Sequence, residues 1–323
     1  MMNQKTINFM QWRHLATGFS VILVAASLLS LATRGLVLGL DFTGGAQIEV
    51  GYQHSVTTSY VREQLRAAGF DNPVVVHFGA DTDILVRLQA PPQEAAQETG
   101  TESGPTGQLE KQNLGEQIAD VLRRSGDEVE LRRVEFVGPQ IGAELRDDGG
   151  LGMLLALFAV MLYVAIRFQY KFAIGAVVAL FHDVIITMGV FSYFRLEFDL
   201  TVLAAVLAVI GYSINDTIVV FDRIRENFRL LRKAGPQAVF DESITQTLER
   251  TLITGVTTLI VLTALFLIGG ELIHNFSLAL IVGVVVGTYS SIFIASSIVL
   301  STGITREHLV PVEKEGVEFD GLP

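Results

Sequence analysis

Six long apolar runs dominate the sequence and decide what it can fold into. A segment needs about 20 predominantly apolar residues to cross the hydrocarbon core of a bilayer. The runs cover roughly Leu15–Thr33, Leu151–Ile166, Phe172–Phe194, Leu200–Phe221, Leu252–Gly269 and Phe276–Leu300. Only 18% of the residues are charged, whereas soluble proteins carry about 25%. We therefore predict a polytopic α-helical membrane protein with six transmembrane helices.

The basic residues of the short loops predict the orientation, because loops rich in Lys and Arg stay in the cytoplasm. Arg167 and Lys171 lie between the second and third runs, and the stretch 223–250 between the fourth and fifth carries six more. This arrangement predicts that both termini are cytoplasmic. The first run is interpreted as an uncleaved anchor, because Arg34 follows it directly without a small-residue cleavage site.

The predicted organisation follows from these spans. Residues 1–34 form the cytoplasmic N-terminus and first helix, 35–149 a periplasmic domain, 150–303 a five-helix membrane region with a cytoplasmic Arg-rich loop at 223–249, and 304–323 a cytoplasmic tail. Within 35–149 the patterns follow the order β-α-β-β-α-β, which is typical of a small ferredoxin-like α+β domain. The polar stretch 91–108 predicts a flexible loop.

Composition excludes several kinds of site. The chain has no cysteine, which rules out thiol catalysis, disulfides and thiolate-bound metals. Its six histidines are scattered and predict no metal site. The net charge of −11 gives no indication of nucleic-acid binding. We expect no cofactor and no enzymatic activity.

Asp216 is the residue that most strongly suggests a function. It lies inside the fourth apolar run, in "IGYSINDTIVVFDRIREN", and ionisable groups within a span are costly and mark functional sites. Arg250 stands at the start of the fifth run and enters from the same side. We predict that the two form an ion relay, because a buried carboxylate beside an arginine can switch protonation near neutral pH. A purely structural ion pair is the alternative.

Other polar residues near this pair predict a hydrated patch. Tyr212 and Ser213 share a helical face with Asp216, and threonines continue the face of Arg250. The predicted supporting set is Tyr212, Ser213, Asn215, Thr254 and Thr258. His182 and Asp183, in the middle of the third run, are further candidates for the relay. A satisfied packing pair explains them equally well, because adjacent helical residues do not share a face.

Glycines mark turns and close helix contacts. Asp41, Gly44 and Gly45 follow the first span, and Gly138 and Pro139 precede the second, which predicts defined hinge turns between the outward domain and the membrane. Gly283 and Gly287 stand four residues apart in the last span, a spacing that lets helices approach closely.

Motifs along nearly the whole chain resemble the bacterial SecF family. They are "GLDFTGG", "VEFVGPQIGAEL", "HDVIIT", "IGYSINDTIVVFDRIREN" and "TQTLERTLITGVTTL". SecF is the smaller half of the SecD–SecF protein-export complex, in the resistance–nodulation–division superfamily. The resemblance implies a multi-pass protein of the bacterial inner membrane, with SecD as an obligate partner. It also implies association with the SecYEG channel, SecA, YajC and YidC, and with unfolded preprotein on the periplasmic side.

The resemblance assigns the transport-critical aspartate and arginine of this family to Asp216 and Arg250. It implies that the proton-motive force helps to export preproteins through the Sec channel. The coupling ion is H⁺, or Na⁺ as in some relatives. A non-conducting scaffold subunit that stabilises the translocon is the alternative, and an efflux pump of the same superfamily is disfavoured by the six spans.

Overall fold

The computed structural model describes residues 6–70, 73–78, 80–89, 115–124 and 126–305. The predicted flexible loop 91–108 and nearly all of the predicted tail lie outside the described residues. Six helices in the described part are long and apolar enough to cross a membrane. The prediction of a polytopic helical membrane protein is therefore confirmed.

The membrane region is built from long helices. A short 3₁₀ turn at Phe9–Trp12 leads into α1 (Arg13–Arg34). The remaining spans are α5 (Pro139–Arg167), α6 (Tyr170–Phe194), α7 (Leu200–Leu230), α8 (Pro236–Ile268) and α9 (Glu271–Ser290). The last span continues through a π-helical segment at Ser291–Ala295 into α10 (Ser296–Ser301).

Three of these helices extend well beyond the apolar runs. Helix α5 begins at Pro139, α7 continues to Leu230, and α8 begins at Pro236. Only residues 231–235 of the predicted Arg-rich loop 223–249 are therefore outside a helix. The apolar runs end where the sequence becomes charged, but the i→i−4 hydrogen bonds of a helix continue through charged residues.

Between α1 and α5 lies a four-stranded antiparallel sheet. Its strands are β2 (Gly45–Tyr52), β3 (Val74–Phe78), β4 (Ala80–Gln89) and β5 (Val129–Val137), in the spatial order β3-β4-β2-β5. Two helices, α3 (Thr58–Ala67) and α4 over residues 115–123, cover one face. Ile48, Val61, Leu65, Ile84 and Leu122 are fully buried between the two layers, as alternation in strands and helical spacing in α3 require.

A small joint connects this domain to the bundle. Strand β1 (Val37–Leu38) pairs in parallel with β6 (Glu197–Phe198), which lies between α6 and α7. The short helix α2 (Leu40–Thr43) follows β1 and ends at Gly44 and Gly45, whose φ angles are 71° and 140°. Positive φ favours glycine. Gly142 of α5 packs on this turn so closely that a Cβ there would lie 2.8 Å from the Gly44 nitrogen.

Helices α7 and α9 form the tightest contact in the bundle. Gly283 lies against the Val209 side chain, which a Cβ at Gly283 would overlap, and a Cβ at Gly287 would lie 3.1 Å from the Ser213 Cβ. Small residues at such a crossing let the two backbones approach closely. The register of α7 against α9 is consequently fixed at these glycines.

We expect Gly283→Ala to destabilise the protein, because overpacking a close contact costs about 1–3 kcal/mol. Gly211 on α7 has open space around it and provides the matched control. Gly211→Ala should be neutral or stabilising by up to about 1 kcal/mol, since alanine favours helix. Unfolding of the purified protein in detergent measures both effects. Equal stability of the two variants would contradict the packing argument.

Candidate functional site

Asp216 is a buried carboxylate with an unfilled hydrogen-bonding capacity. It lies on α7 and is 5% exposed. Its Oδ2 atom has no hydrogen-bond partner among the described residues. A buried polar atom without a partner is unusual and costs free energy unless water or an ion completes it. Oδ2 of Asp216 therefore has hydrogen-bonding capacity that no described residue uses.

Arg250 of α8 is the cation whose field acts on Asp216. In the described part of the chain, however, Asp216 has no basic partner within the 4.0 Å of an ion pair. Arg250 itself is exposed at the surface of α8. The structure thus places the two predicted relay residues on adjacent helices without direct contact.

Buried hydroxyls line the space between α7, α8 and α9 near Asp216. The Tyr212 hydroxyl faces Thr254 and Thr258 on α8 and Thr288 on α9. In the described residues, the hydroxyls of Tyr212, Thr251 and Thr288 are buried without hydrogen-bond partners. We call these three hydroxyls with Asp216 the polar seam. Unpaired buried hydroxyls are the groups that ordered water satisfies in proteins, so this interface is suited to hydration.

Two of the predicted supporting residues make no hydrogen bond to Asp216. Asn215 is exposed on the outside of α7. Ser213 is buried, but its hydroxyl donates to Asp183 at 2.5 Å. The hydroxyls of Thr254 and Thr258 donate to backbone carbonyls of their own helix, as threonines in membrane helices commonly do.

Asp183 forms a second buried polar centre, on α6. The residue is fully buried, and its Oδ1 lies 2.8 Å from His182 Nδ1. Its Oδ2 accepts from Ser213 of α7 at 2.5 Å and from Ser290 of α9 at 2.7 Å. His182 and Asp183 therefore do pair, although they are neighbours in sequence. The ring of His182 also packs against Tyr289 at a centroid distance of 6.3 Å.

The predicted hinge residue Asp41 contacts the helix that carries Asp216. Its Oδ2 accepts a hydrogen bond from the backbone N–H of Leu200, the first residue of α7, at 3.1 Å. Asp199 caps the same terminus by accepting from Val202 N–H at 2.8 Å. Two carboxylates at a helix N-terminus are favourable, because they satisfy free N–H groups and oppose the positive end of the dipole. The joint is consequently hydrogen-bonded to the N-terminus of α7.

Gly138 and Pro139 prove to be the start of a helix instead of a free turn. Gly138 is the residue before α5, and Pro139 is its first residue, where the fixed φ of proline suits a helix. The sheet therefore passes from β5 into α5 within one residue.

An ion pair links the sheet to the joint. Arg87 of β4 bonds to Glu197 of β6 and donates to the Gln47 side chain at 2.9 Å. Burial raises the pKa of Glu197 above its ordinary value, and the positive charge of Arg87 opposes part of that rise. Glu197 is thus a titratable contact between the domain and the bundle.

Sequence reasoning missed several of these residues. Ser290, Thr288 and Thr251 carry no signal of their own, because serine and threonine are common in membrane helices. The one available hint is that Ser290 and Thr288 follow Gly287 in a stretch of small residues. Arg87 and Glu197 are ordinary charged residues, 110 positions apart, and only the fold brings them together.

Two family models match the chain. Residues 117–304 match the model described as protein export membrane protein SecD/SecF, C-terminal. Residues 29–56 match the SecD/SecF GG motif, which here contains Gly44 and Gly45. The chain belongs to the SecD/SecF family. The resemblance identified from the motifs is thereby confirmed.

Relatives match over nearly their whole length. The protein translocase subunit SecF of Vibrio alginolyticus is 50% identical over 99% of this chain and 98% of its own. That of Pseudomonas aeruginosa is 49% identical over 98% and 97%, and that of Escherichia coli O157:H7 is 44% identical over 98% and 94%.

The fold also matches solved structures of the SecD/SecF family. The crystal structure of SecDF, a translocon-associated membrane protein from Thermus thermophilus, superposes with a TM-score of 0.77 at 34% identity. The match covers 94% of this chain and 39% of that one. SecDF in its super-membrane-facing form gives a lower TM-score of 0.68 at the same identity.

The pH dependence of stability should reveal the Glu197 contact. A raised pKa means that the folded state holds the proton more tightly than the unfolded chain, so its stabilising contribution is full below the ordinary pKa of 4.5 and is lost as pH rises through the folded pKa. Relative to Glu197→Gln, the parent protein should therefore lose stability as pH rises above 4.5. Thermal unfolding in detergent over a pH series measures this difference. A pH-independent difference would contradict it.

Proposed function

We propose that this protein is an ion-driven subunit of the protein-export machinery. It would work as the SecF half of a complex with SecD and use the proton gradient, or a sodium gradient, to help draw preproteins through the Sec channel. The proposal rests on the observation that Asp216 is a buried carboxylate whose Oδ2 has no hydrogen-bond partner among the described residues. The cation that acts on it, Arg250, is not in direct contact with it. The names and structures of the relatives support the export function and the SecD partner.

The proposed cycle begins at the polar seam. When Asp216 gains a proton or binds a cation, its attraction to Arg250 weakens and α7 shifts relative to α8. Moving one elementary charge across the membrane supplies about 2.3 kcal/mol per 100 mV, which is enough to bias a two-state bundle by more than tenfold.

The movement would reach the outer domain through the joint. Asp41 is bonded to the first N–H of α7, and β6 of the same loop is paired with β1. A shift of α7 therefore displaces β1 and the glycine turn that leads into the sheet. The strand order of the domain supports its interpretation as ferredoxin-like, and unfolded preprotein would meet it on the periplasmic side.

Exposed apolar surface supports the SecD partner. Helices α5 and α8 are only 11% and 17% buried over their apolar windows. Arg250 lies on exposed α8, so the surface beside the relay is available to a second membrane subunit. We place the protein in the bacterial inner membrane with both termini cytoplasmic, because the arginines at the C-terminal end of α7 and Arg250 on α8 follow the positive-inside rule. SecYEG, SecA, YajC and YidC are the further partners that we propose.

Asp216→Asn should abolish ion-driven export while the complex with SecD still assembles. Asparagine is nearly isosteric but has no charge to gain or lose. The measurement is preprotein translocation into vesicles that carry a membrane potential and a pH or sodium gradient, imposed independently. Whichever gradient drives the parent complex identifies the ion, and we expect a loss of at least about tenfold.

Asp222→Asn is the matched control on the same helix. Asp222 is partly exposed and bonds to Arg167 at 3.0 Å, and such pairs contribute little. It should retain ion-driven export. If Asp216→Asn keeps the full gradient dependence, the ion-driven proposal fails and the scaffold alternative is favoured.

Asp41→Ala tests the coupling separately from ion binding. Loss of the carboxylate frees the N-terminus of α7 from the joint, at a cost of about 1 kcal/mol in helix capping. We expect ion flux through the reconstituted complex to persist while export per ion transported falls. Asp199→Ala removes the other cap of α7 but leaves the link to α2, so it should affect export less. Equal effects of both changes would show that capping alone matters.

A further inference from the structure

Asp183 is a buried carboxylate that takes no direct part in the proposed relay of Asp216 and Arg250. It is fully buried, whereas most buried acidic groups in membrane bundles line a pathway or pair with a cation. Three side-chain polar atoms from three helices converge on it: His182 Nδ1 at 2.8 Å, Ser213 Oγ at 2.5 Å and Ser290 Oγ at 2.7 Å. Both serine hydroxyls donate to Oδ2, whereas the direction of the His182 contact depends on the histidine tautomer. Asp183 therefore has a side-chain partner on each oxygen.

Asp183 and Asp216, two of the buried carboxylates of the bundle, are thus satisfied to different degrees. Asp183 has side-chain partners on both oxygens. Asp216 has an oxygen without any partner among the described residues. Within one apolar bundle, the first arrangement holds helices together and the second leaves room for exchange.

The position of Ser213 connects these two centres. It lies three residues before Asp216 on α7, about 4.5 Å along the helix axis and on the same face. It also lies opposite Gly287, in the close contact between α9 and α7. Ser290 is the last residue of α9, directly before the π-helical segment Ser291–Ala295. Single π-helical turns within α-helices are rare and frequent at functional sites.

We propose that Asp183, Ser213 and Ser290 form a clamp that positions Asp216. The clamp joins α6, α7 and α9 one turn from the relay carboxylate and fixes the point about which α7 can move. Asp183 is then a positioning residue and does not itself carry the transported ion. This inference rests on the proposed function, since it states what holds the relay helix in place.

The charged and titratable groups around the clamp are few. On α6 the neighbour is His182, and on α7 the neighbours are Tyr212 and Asp216. Arg250 faces that carboxylate from α8. On α9 the nearest titratable side chain is Tyr289, which donates to the Ala16 carbonyl of α1 at 2.8 Å. Removal of the two serine hydroxyls therefore removes the hydrogen bonds that join α7 and α9 to Asp183 and leaves all of these charged groups in place.

The test measures the reactivity of Asp216 in the assembled complex with SecD. A hydrophobic carbodiimide modifies a protonated carboxyl group in an apolar site, and mass spectrometry quantifies the product at Asp216. Ser213→Ala and Ser290→Ala should each raise the labelling rate by about tenfold, the equivalent of one lost hydrogen bond to a charged group. The pH profile of labelling should shift as well. Asp183→Asn should act in the same direction.

Ser277→Ala is the matched control, because Ser277 is a fully buried serine of α9 whose hydroxyl has no partner among the described residues. It should label at the parental rate with the parental pH profile. Parental labelling in an assembled Ser213→Ala or Ser290→Ala complex would overturn the clamp. So would an equal rise in Ser277→Ala, since that indicates general loosening of α9.

The two proposals can fail independently. Labelling of Asp216 requires no translocation, so it tests the clamp even if Asp216→Asn turns out to export normally. If a double serine variant does not assemble with SecD, the single variants decide the outcome, because each retains two of the three side-chain partners of Asp183. Loss of export with unchanged labelling in both single variants counts against positioning.

Discussion

The rest of the membrane region depends on how the bundle accommodates two carboxylates in an apolar interior. Removing a charge from water is expensive unless hydrogen bonds or an opposite charge replace the lost hydration. The side chains of His182, Ser213 and Ser290 contact Asp183 and replace the hydration that it lacks in the apolar interior. Asp216 recovers less, from the field of Arg250 and a seam of unpaired hydroxyls.

Helix α7 connects these centres to the outer domain. Its 31 residues span about 46 Å as one continuous helix, with Asp41 at its first N–H and Asp216 past its middle. Continuous hydrogen bonding makes such a helix stiff along its axis, so a shift at Asp216 is transmitted to the joint. The glycine contacts with α9 restrict that shift to directions that preserve close packing.

The sequence was sufficient to predict what depends on local pattern. Six spans, the element order of the domain and the burial of Val61 and Leu65 all follow from periodicity and length. The ends of α5, α7 and α8 did not follow, because hydropathy reports lipid contact whereas helices continue into water. Helical spacing predicted that Ser213 would assist Asp216, because the two share a helical face. In the structure, the Ser213 hydroxyl instead donates to Asp183.

The partners of Asp183 could not be predicted from local pattern. Ser290 is 107 positions from Asp183, and its contact depends on how α9 crosses α7. That crossing is fixed by Gly283 and Gly287, so the packing signal was visible although its chemical consequence was not. Likewise, the sequence paired Asp216 with Arg250 by depth, but only side-chain geometry shows that they stand apart.

The separation of Asp216 from Arg250 has a consequence for assembly. Arg250 is exposed on α8, and a guanidinium on a helix surrounded by lipid alone would be costly. A second subunit packed on α8 would cover both the apolar surface and the arginine. The position of the arginine, and therefore its distance from Asp216, would then depend on that subunit. In the proposed function, SecD would control the relay directly through α8, in addition to taking part in export.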